Sequence, residues 1–170
     1  VMTNNSSPIW VMTSHVSWYY SGDKNQPVIY DKGAISKISQ LGCNEKSSLI
    51  ITDDLSMNGS DWYLKPLYEK YPQYSRDAIR IYHALSSGND IVFKQYLHTN
   101  WNPITDAREE IIHEITEMIR NGVDMNNDHI PDLTEADISK KYSKFLSILA
   151  RLWKIESFRI GDGSDGYMFP

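Results

Sequence analysis

The sequence predicts an α/β fold with a parallel sheet, and three observations carry that prediction. Short apolar runs rich in β-branched residues occur at residues 9–13, 48–52 and 89–94. Amphipathic segments with a helical period separate them, at residues 31–42 and 75–88. A chain that alternates strand, helix, strand, helix and strand forms parallel strands joined by right-handed crossovers.

Each of these elements has its own local signal. The run at residues 9–13 combines β-branched and aromatic residues, which favour a strand. Asp31 is a good N-cap for the first helix, which Gly42 is expected to end. Residues 48–52 form a continuous hydrophobic run, which is typical of a buried parallel strand.

The rest of the chain is predicted in the same way. Residues 57–74 contain Gly, Pro and several aromatic residues, so we expect a structured loop there, with or without a helical turn. Ser75 caps the following helix. Beyond the third strand, the period of apolar residues predicts helices at residues 105–121 and 134–155. The apolar face of the last helix is expected to consist of Ile138, Tyr142, Phe145, Leu149 and Leu152.

Composition excludes several classes of protein. With 170 residues, 41% hydrophobic and 23% charged, the chain resembles an ordinary globular domain or part of a larger one. Its net charge of −5, with both signs interspersed, argues against a nucleic-acid partner. Since no apolar run reaches about 18 residues, no membrane span is expected. The single cysteine, Cys43, excludes an intrachain disulfide framework.

Two adjacent carboxylates, Asp53 and Asp54, directly follow the second predicted strand. In α/β folds, functional residues gather at the carboxyl ends of the strands. A carboxylate at that position can be a nucleophile, a general base or a metal ligand, but it can also cap the next helix. Spacing alone favours the cap and leaves a catalytic role open.

A second group of candidate residues follows the first predicted strand. His15 stands at its carboxyl end, and Trp18 begins a run of three aromatic residues, with Tyr19 and Tyr20, in the loop beyond. Exposed aromatic rings suit stacking against a sugar or a base. Rings that pack beneath a loop, and a histidine with a structural role, produce the same pattern, so both interpretations stay open.

Residues 124–135, between the last two predicted helices, form a twelve-residue segment with oxygen-bearing side chains at positions 1, 3, 5, 9 and 12. This spacing matches a helix-loop-helix calcium site, in which position 7 contributes its carbonyl oxygen. The segment also resembles the calcium loops of dockerin-like and thrombospondin type 3-like repeats. The predicted ligands of a structural calcium ion are Asp124, Asn126, Asp128, Ile130, Asp132 and Glu135.

One position departs from the calcium-loop pattern. Position 6 is normally Gly because the chain turns sharply there, but it is His129 in this sequence, and a left-handed backbone at such a residue costs about 1 kcal/mol or more. A polar loop in which Glu135 and Asp137 favour the start of a helix explains the same residues. Both interpretations stay open; a calcium loop that works at extracellular ion levels would favour an exported protein.

Four segments of the chain follow one another in an order that is typical of one enzyme family. They are Val-Met-Thr-Ser-His-Val at 11–16, Leu-Gly at 41–42, Ile-Ile-Thr-Asp-Asp-Leu-Ser-Met at 50–57, and Ala-Leu-Ser-Ser-Gly-Asn-Asp-Ile-Val at 84–92. Together they resemble glycoside hydrolase family 3, and within it the β-N-acetylhexosaminidase branch. The resemblance implies a partial (β/α)8 TIM-type barrel, with strands six to eight and their helices in residues 1–160 and a flexible tail at 161–170.

The same resemblance implies a function at the strand ends. The enzyme would be a retaining glycosidase that hydrolyses terminal β-linked N-acetylhexosamines, with Asp53 as the nucleophile that attacks the anomeric carbon. Asp54 would turn away and hold the loop or cap a helix. The expected substrate contacts are His15, Trp18 and Met57, and catalysis needs no cofactor.

The resemblance covers only part of a complete enzyme. In this branch the leaving oxygen is protonated by a histidine-containing loop two strands earlier, and neither that loop nor most of the sugar-binding residues occur in these 170 residues. Three parallel strands cannot close a barrel. We therefore expect two partners, the carbohydrate substrate and the missing amino-terminal half of the barrel. The alternative is a catalytically inactive module that binds carbohydrate and calcium.

Overall fold

The part of the chain that the structure describes contains two parallel strands, five α-helices and two short 3-10 helices, at Val28–Tyr30 and Asn58–Ser60. This computed structural model describes residues 9–17, 26–40, 48–94 and 104–160, and of residues 9, 104–107 and 151–160 it describes the backbone alone. The strands are β1 (Ile9–Thr13) and β2 (Ser48–Thr52). The helices are α1 (Lys32–Gln40), α2 (Asp61–Lys70), α3 (Arg76–Ser86), α4 (Ile104–Arg120) and α5 (Glu135–Ile160).

The predicted third strand is wrong as a full element, because residues 89–93 contribute one parallel bridge, between Ile51 and Ile91. β1 and β2 pair in parallel over all five residues of each strand, and residues 89–93 lie along the other edge of β2. The Phe93 amide donates to the Thr52 hydroxyl at 2.9 Å. This side-chain bond takes the donor that a continuing ladder would use for a backbone carbonyl oxygen.

Local capping explains why α1 and α3 begin where the sequence predicts. Asp31 accepts a hydrogen bond from the Ala34 amide at 2.9 Å, and the Ser75 hydroxyl accepts one from the Ala78 amide at 3.2 Å. After α3 the chain turns at Gly88, whose φ of +113° suits glycine. Both predicted starts are confirmed, and so is the predicted end of α3.

The expectation of a loop over residues 57–74 is wrong, because ten of these residues form α2. Pro66 stands inside that helix, at a cost of about 3 kcal/mol for such a position. Leu64 is fully buried, which contributes about 2 kcal/mol, and Leu67 and Tyr68 pack against the same core. Burial of this apolar face therefore outweighs the effect of the proline.

The predicted apolar face of α5 is wrong in part. Tyr142 is 62% exposed and Leu149 is 38% exposed, whereas Ile148 is completely buried. The helix instead turns two lysines toward the segment after α3: Lys141 donates to the Asn89 carbonyl oxygen at 2.7 Å, and Lys144 pairs with Asp90 at 2.5 Å. These polar contacts rotate the helix away from the face that hydrophobicity alone selects.

The apolar core has two parts. The first lies between α3, α4 and the segment that follows α4, and its buried members are Ala78, Ile79, Tyr82, Ile111, Met118, Val123, Met125 and Leu133. The second lies beside the carboxyl end of β2, and its buried members are Ile29, Tyr30, Leu55, Leu64 and Ala84. Both parts include side chains from α3, so this helix links the sheet to the carboxyl-terminal helices.

The prediction of an α/β fold with parallel strands is confirmed, in the form of a small two-stranded sheet. In the ranges that the structure describes, no helix is both long and apolar enough to span a membrane. Some predictions concern residues outside those ranges: the helix end at Gly42, the packing of Cys43 and the flexible tail at 161–170.

Candidate functional site

Asp53 lies at the carboxyl end of β2, between the end of β1 and residues 89–93. Its backbone amide donates to the Thr13 carbonyl oxygen at 2.8 Å, which ties the turn after β2 to β1. Alternate strand residues share a face, so Asp53 projects on the side of Ile51 and of its partner across the sheet, Met12. Met12 is 62% exposed and Trp10 is 49% exposed, so this face of the sheet is open beside β1, whereas Leu49 on the same face of β2 is buried.

The two neighbouring carboxylates have different surroundings. Asp53 is half-buried, and its Oδ1 accepts a hydrogen bond from the Asp54 amide at 2.8 Å. No residue that the structure describes donates to its Oδ2. Asp54 accepts from the Ser56 amide at 2.9 Å through Oδ1 and from the Met57 amide at 3.1 Å through its carbonyl oxygen. Asp54 therefore holds the turn, and Asp53 keeps one carboxylate oxygen available.

His15 connects the end of β1 to residues 53–60, which we call the mouth loop. Its Nε2 lies 3.0 Å from the Asp54 carbonyl oxygen, and its Nδ1 lies 3.0 Å from the hydroxyl of the buried Ser60. Because a carbonyl oxygen only accepts, Nε2 donates to Asp54, and Nδ1 is within hydrogen-bond distance of the Ser60 hydroxyl. Both ring nitrogens have partners within the protein, and the sugar contact of His15 stays a prediction.

The other two predicted substrate contacts are Met57 and Trp18. Met57 lies in the mouth loop and is 51% exposed, so its side chain is accessible beside Asp53. Trp18 lies outside the described residues, together with Tyr19 and Tyr20. The aromatic part of the predicted sugar site therefore has no structural description.

Arg80 of α3 donates hydrogen bonds to the mouth loop, and this residue is not among those that the sequence predicts. Its guanidinium donates to the Leu55 carbonyl oxygen at 3.2 Å and to the Asn58 side-chain oxygen at 3.3 Å, and it forms a short ion pair with Asp61. Its Nε donates to the Tyr68 hydroxyl at 3.0 Å. The sequence carries no local signal for it, because Arg80 lies on the opposite side of α3 from the apolar stripe at Ala78, Tyr82 and Leu85.

Residues 124–135 adopt a tight loop in which carboxylates accept backbone hydrogen bonds. Asp124 accepts from the amides of Asn127 and His129 at 2.6 and 2.8 Å, and Asp128 accepts from the Ile130 amide at 2.8 Å. Asn127 and His129, at positions 4 and 6, have φ values of +62° and +66°. The left-handed turn expected at position 6 is thus present, with histidine in place of glycine.

The protonation equilibria of this loop reflect its crowded carboxylates. Burial raises the pKa of Asp132, and the nearby charges of Asp124 and Asp128 raise it further. For Asp124, desolvation acts to raise the pKa, but amide donors led by His129 outweigh it and lower the pKa. Across the part of the chain that the structure describes, no group of three His, Cys, Asp or Glu side chains converges as a metal site.

The start of α5 has its own explanation. The Thr134 amide and hydroxyl both donate to Asp137, at 2.9 and 2.6 Å, and the Asp137 amide donates back to the Thr134 hydroxyl at 3.2 Å. This reciprocal cap lowers the pKa of Asp137 through the Thr134 hydroxyl. Asp137 therefore fulfils the helix-start interpretation, while Glu135 is exposed at the first turn.

A cavity of about 270 Å³ lies between α2, α3 and the 124–135 loop. His83 lines it, and its ring, Tyr30 and Tyr63 all pack against one another, with the tyrosine centroids 5.1 and 6.0 Å from that of His83 and 5.9 Å apart. Burial lowers the pKa of His83 to about 4. Its Nδ1 is closed off from solvent and has no hydrogen-bond partner among the residues described.

No protein-family model, curated protein or solved structure matches this chain. The resemblance carried by residues 50–57 and its companion segments therefore stays a prediction from the sequence.

Proposed function

We propose that this chain supplies the nucleophile of a retaining β-N-acetylhexosaminidase. The position of Asp53 carries the proposal. It stands at the carboxyl end of the middle one of three parallel segments and on the open face of the sheet. One of its carboxylate oxygens accepts no hydrogen bond from the described residues. The substrate class rests on the family-like string at residues 50–57.

The proposed reaction has two steps. A carboxylate oxygen of Asp53 attacks the anomeric carbon, the bond from that carbon to the leaving oxygen breaks, and an acid from outside these residues protonates the leaving oxygen. Water then attacks the anomeric carbon, a base removes its proton, and the bond to Asp53 breaks. Two inversions retain the configuration of the sugar.

The proposal includes a (β/α)8-type barrel that further strands complete. Support comes from side chains that the isolated sheet leaves uncovered. Trp10 and Met12 on β1 are 49% and 62% exposed, and Phe93 at the far edge is 47% exposed. Apolar side chains that line a barrel interior show this exposure when the facing strands are absent.

Substitution of the two carboxylates tests the enzymatic proposal. In the longest natural chain that contains these residues, we expect Asp53→Asn to lower turnover of an aryl N-acetyl-β-glucosaminide by about a thousandfold or more. Asp54→Asn is the matched control and should retain most of the activity, since the asparagine Oδ1 can still accept from the Ser56 amide and Asp54 forms no bond in the reaction. Equal turnover of the wild type and Asp53→Asn would disprove the assignment.

We also propose that residues 124–135 bind a structural calcium ion. The left-handed backbone at Asn127 and His129 supports this second function, because a calcium loop needs a sharp turn at position 6. Burial raises the pKa of Asp132, and the charges of Asp124 and Asp128 add to this effect; a bound cation would relieve the repulsion among the three carboxylates. Calcium would be held by the side-chain oxygens at positions 1, 3, 5, 9 and 12 and the carbonyl oxygen of Ile130.

Calorimetric titration with calcium chloride tests this second function. We expect the chain to bind one equivalent, and Glu135→Gln to weaken binding by about tenfold or more because it removes a charged bidentate ligand. Glu109→Gln, an exposed change on α4, is the control and should leave binding unchanged. Absence of calcium-dependent heat in the wild type would disprove the site.

A further inference from the structure

Arg80 lies on α3, but most of its donor contacts are with the mouth loop and the residue that follows it. It is 6% exposed, and three of its donor contacts go to residues of that loop or to the first residue of α2. Two of them, to Leu55 and Asn58, lie on either side of Met57. The guanidinium therefore holds both sides of the exposed segment that follows Asp53.

The charge of Arg80 is already balanced inside the protein. Asp61 pairs with it directly, and Asp77 lies 3.6 Å from its Nη1. Asp77 also pairs with Lys94, whose side chain is 6% exposed, at 3.0 Å. Two cations and two carboxylates thus form a closed network, so Arg80 is not arranged to receive an anionic ligand.

We propose that Arg80 is a positioning residue for the reaction at Asp53, which makes this inference rest on the proposed function. Its hydrogen bonds to Leu55 and Asn58 hold the segment that carries the exposed Met57. They also hold the turn in which Asp54 accepts hydrogen bonds from the Ser56 and Met57 amides. The direction of the Asp53 carboxylate follows, because Asp53 begins the same turn and donates its amide to the end of β1.

The geometry explains why an arginine stands at this position. Its planar fork reaches Leu55, Asn58 and Asp61 with separate N–H groups, and its Nε reaches Tyr68 at the same time. A lysine carries the same charge on one compact ammonium group and cannot span these acceptors. Arg80→Lys therefore retains the charge and removes the bracing of the loop.

Hydrogen exchange and steady-state kinetics together test the inference. In Arg80→Lys we expect the amides of Ser56 and Met57 to exchange at least about tenfold faster, with the Ile50 amide in β2 unchanged. For the same aryl glycoside, kcat should fall about tenfold or more while KM changes less than about threefold. Arg120→Lys, on the exposed end of α4, should alter neither measurement.

The outcomes of these measurements distinguish the role of Arg80 from the proposed function. Unchanged exchange and unchanged kcat in Arg80→Lys would disprove the role. A second outcome is faster exchange in Arg80→Lys and a wild-type chain whose turnover does not depend on Asp53. That result would support the contact between Arg80 and the loop and would disprove the proposed function. If Arg80→Lys does not fold, Asn58→Ala removes one contact from the exposed side of the loop. That variant should then show smaller shifts in the same direction, and no shift would disprove the inference.

Discussion

His83 is a buried histidine whose protonation depends on its surroundings. Burial lowers its pKa from 6.5 to about 4, so between these pH values the unfolded chain binds a proton that the folded chain excludes. The free energy of unfolding therefore falls as the pH drops from about 6.5 to about 4. The loss amounts to about 3 kcal/mol when it is complete.

Substitution of His83 tests this pH dependence. We expect His83→Gln to flatten the fall in stability between pH 6.5 and 4, as measured by urea denaturation at several pH values. His113→Gln changes an exposed histidine on α4 and should follow the wild type. Parallel profiles for His83→Gln and the wild type would contradict the effect of burial.

His129 is strained by its left-handed backbone, and glycine should relieve that strain. We expect His129→Gly to raise the free energy of unfolding by about 1 kcal/mol, measured in urea without calcium. Asn127→Gly is the control, since asparagine adopts this conformation at low cost and should gain less. Destabilisation by His129→Gly would contradict the assignment of strain.

Among single residues, the sequence predicts those whose position follows from a strand end or from a fixed spacing. Asp53 and the 124–135 loop are of this kind. Arg80 and Ser60 are not, because their partners at Leu55 and His15 lie 25 and 45 residues away in the chain. Only tertiary packing brings such groups together.

At the scale of the element, starts and ends that depend on local caps could be predicted, and elements that depend on packing could not. Asp31 and Ser75 mark helix starts because their acceptors lie within one turn of the amides that they bind. α2 was missed because Pro66 and its aromatic neighbours are typical of a loop, and only burial of Leu64 reveals the helix. The predicted third strand forms one bridge instead of a full ladder, because the Thr52 hydroxyl accepts the hydrogen bond of the Phe93 amide.

Ser75 provides a test of the capping argument. We expect Ser75→Ala to lower the free energy of unfolding by about 1 to 2 kcal/mol, since it removes the cap of α3 and a hydrogen bond to Glu114. Ser143→Ala, an exposed change within α5, is the control and should change it by less than about 0.5 kcal/mol. Equal effects of the two changes in urea denaturation would contradict the role of the cap.

At the scale of the whole molecule, two apolar surfaces are exposed among the residues that the structure describes. One is the open face of the sheet, with Trp10 and Met12, and the other is the stripe on α5 formed by Tyr142, Leu146 and Leu149. In a closed (β/α)8 barrel, the inner face of the sheet and the inner side of each helix are both covered. The open face of the sheet therefore agrees with the proposed missing part of the barrel, whereas the α5 stripe points away from the packed side of that helix at Lys141 and Ile148.

One substitution in two contexts tests that part of the proposal. Met12→Lys should change the stability of the 170-residue chain little, because the side chain is exposed there. In the longer natural chain that we propose, it should lower the free energy of unfolding by about 3 kcal/mol or more, since it buries an unpaired charge. Ile112→Lys is the exposed control in both. An equal effect of Met12→Lys in both contexts would contradict the covering strands.

The central claim, that Asp53 is a glycosidase nucleophile, is tested most directly by trapping the covalent intermediate. An N-acetyl-β-glucosaminide with a dinitrophenyl leaving group needs no acid assistance, so it should glycosylate Asp53 even where protonation of the leaving group is absent. We predict that mass spectrometry of the longest natural chain finds one N-acetylhexosamine on the peptide that contains Asp53. The adduct should be lost in Asp53→Asn and kept in Asp54→Asn. An unmodified Asp53, or an adduct that persists in Asp53→Asn, would contradict the account.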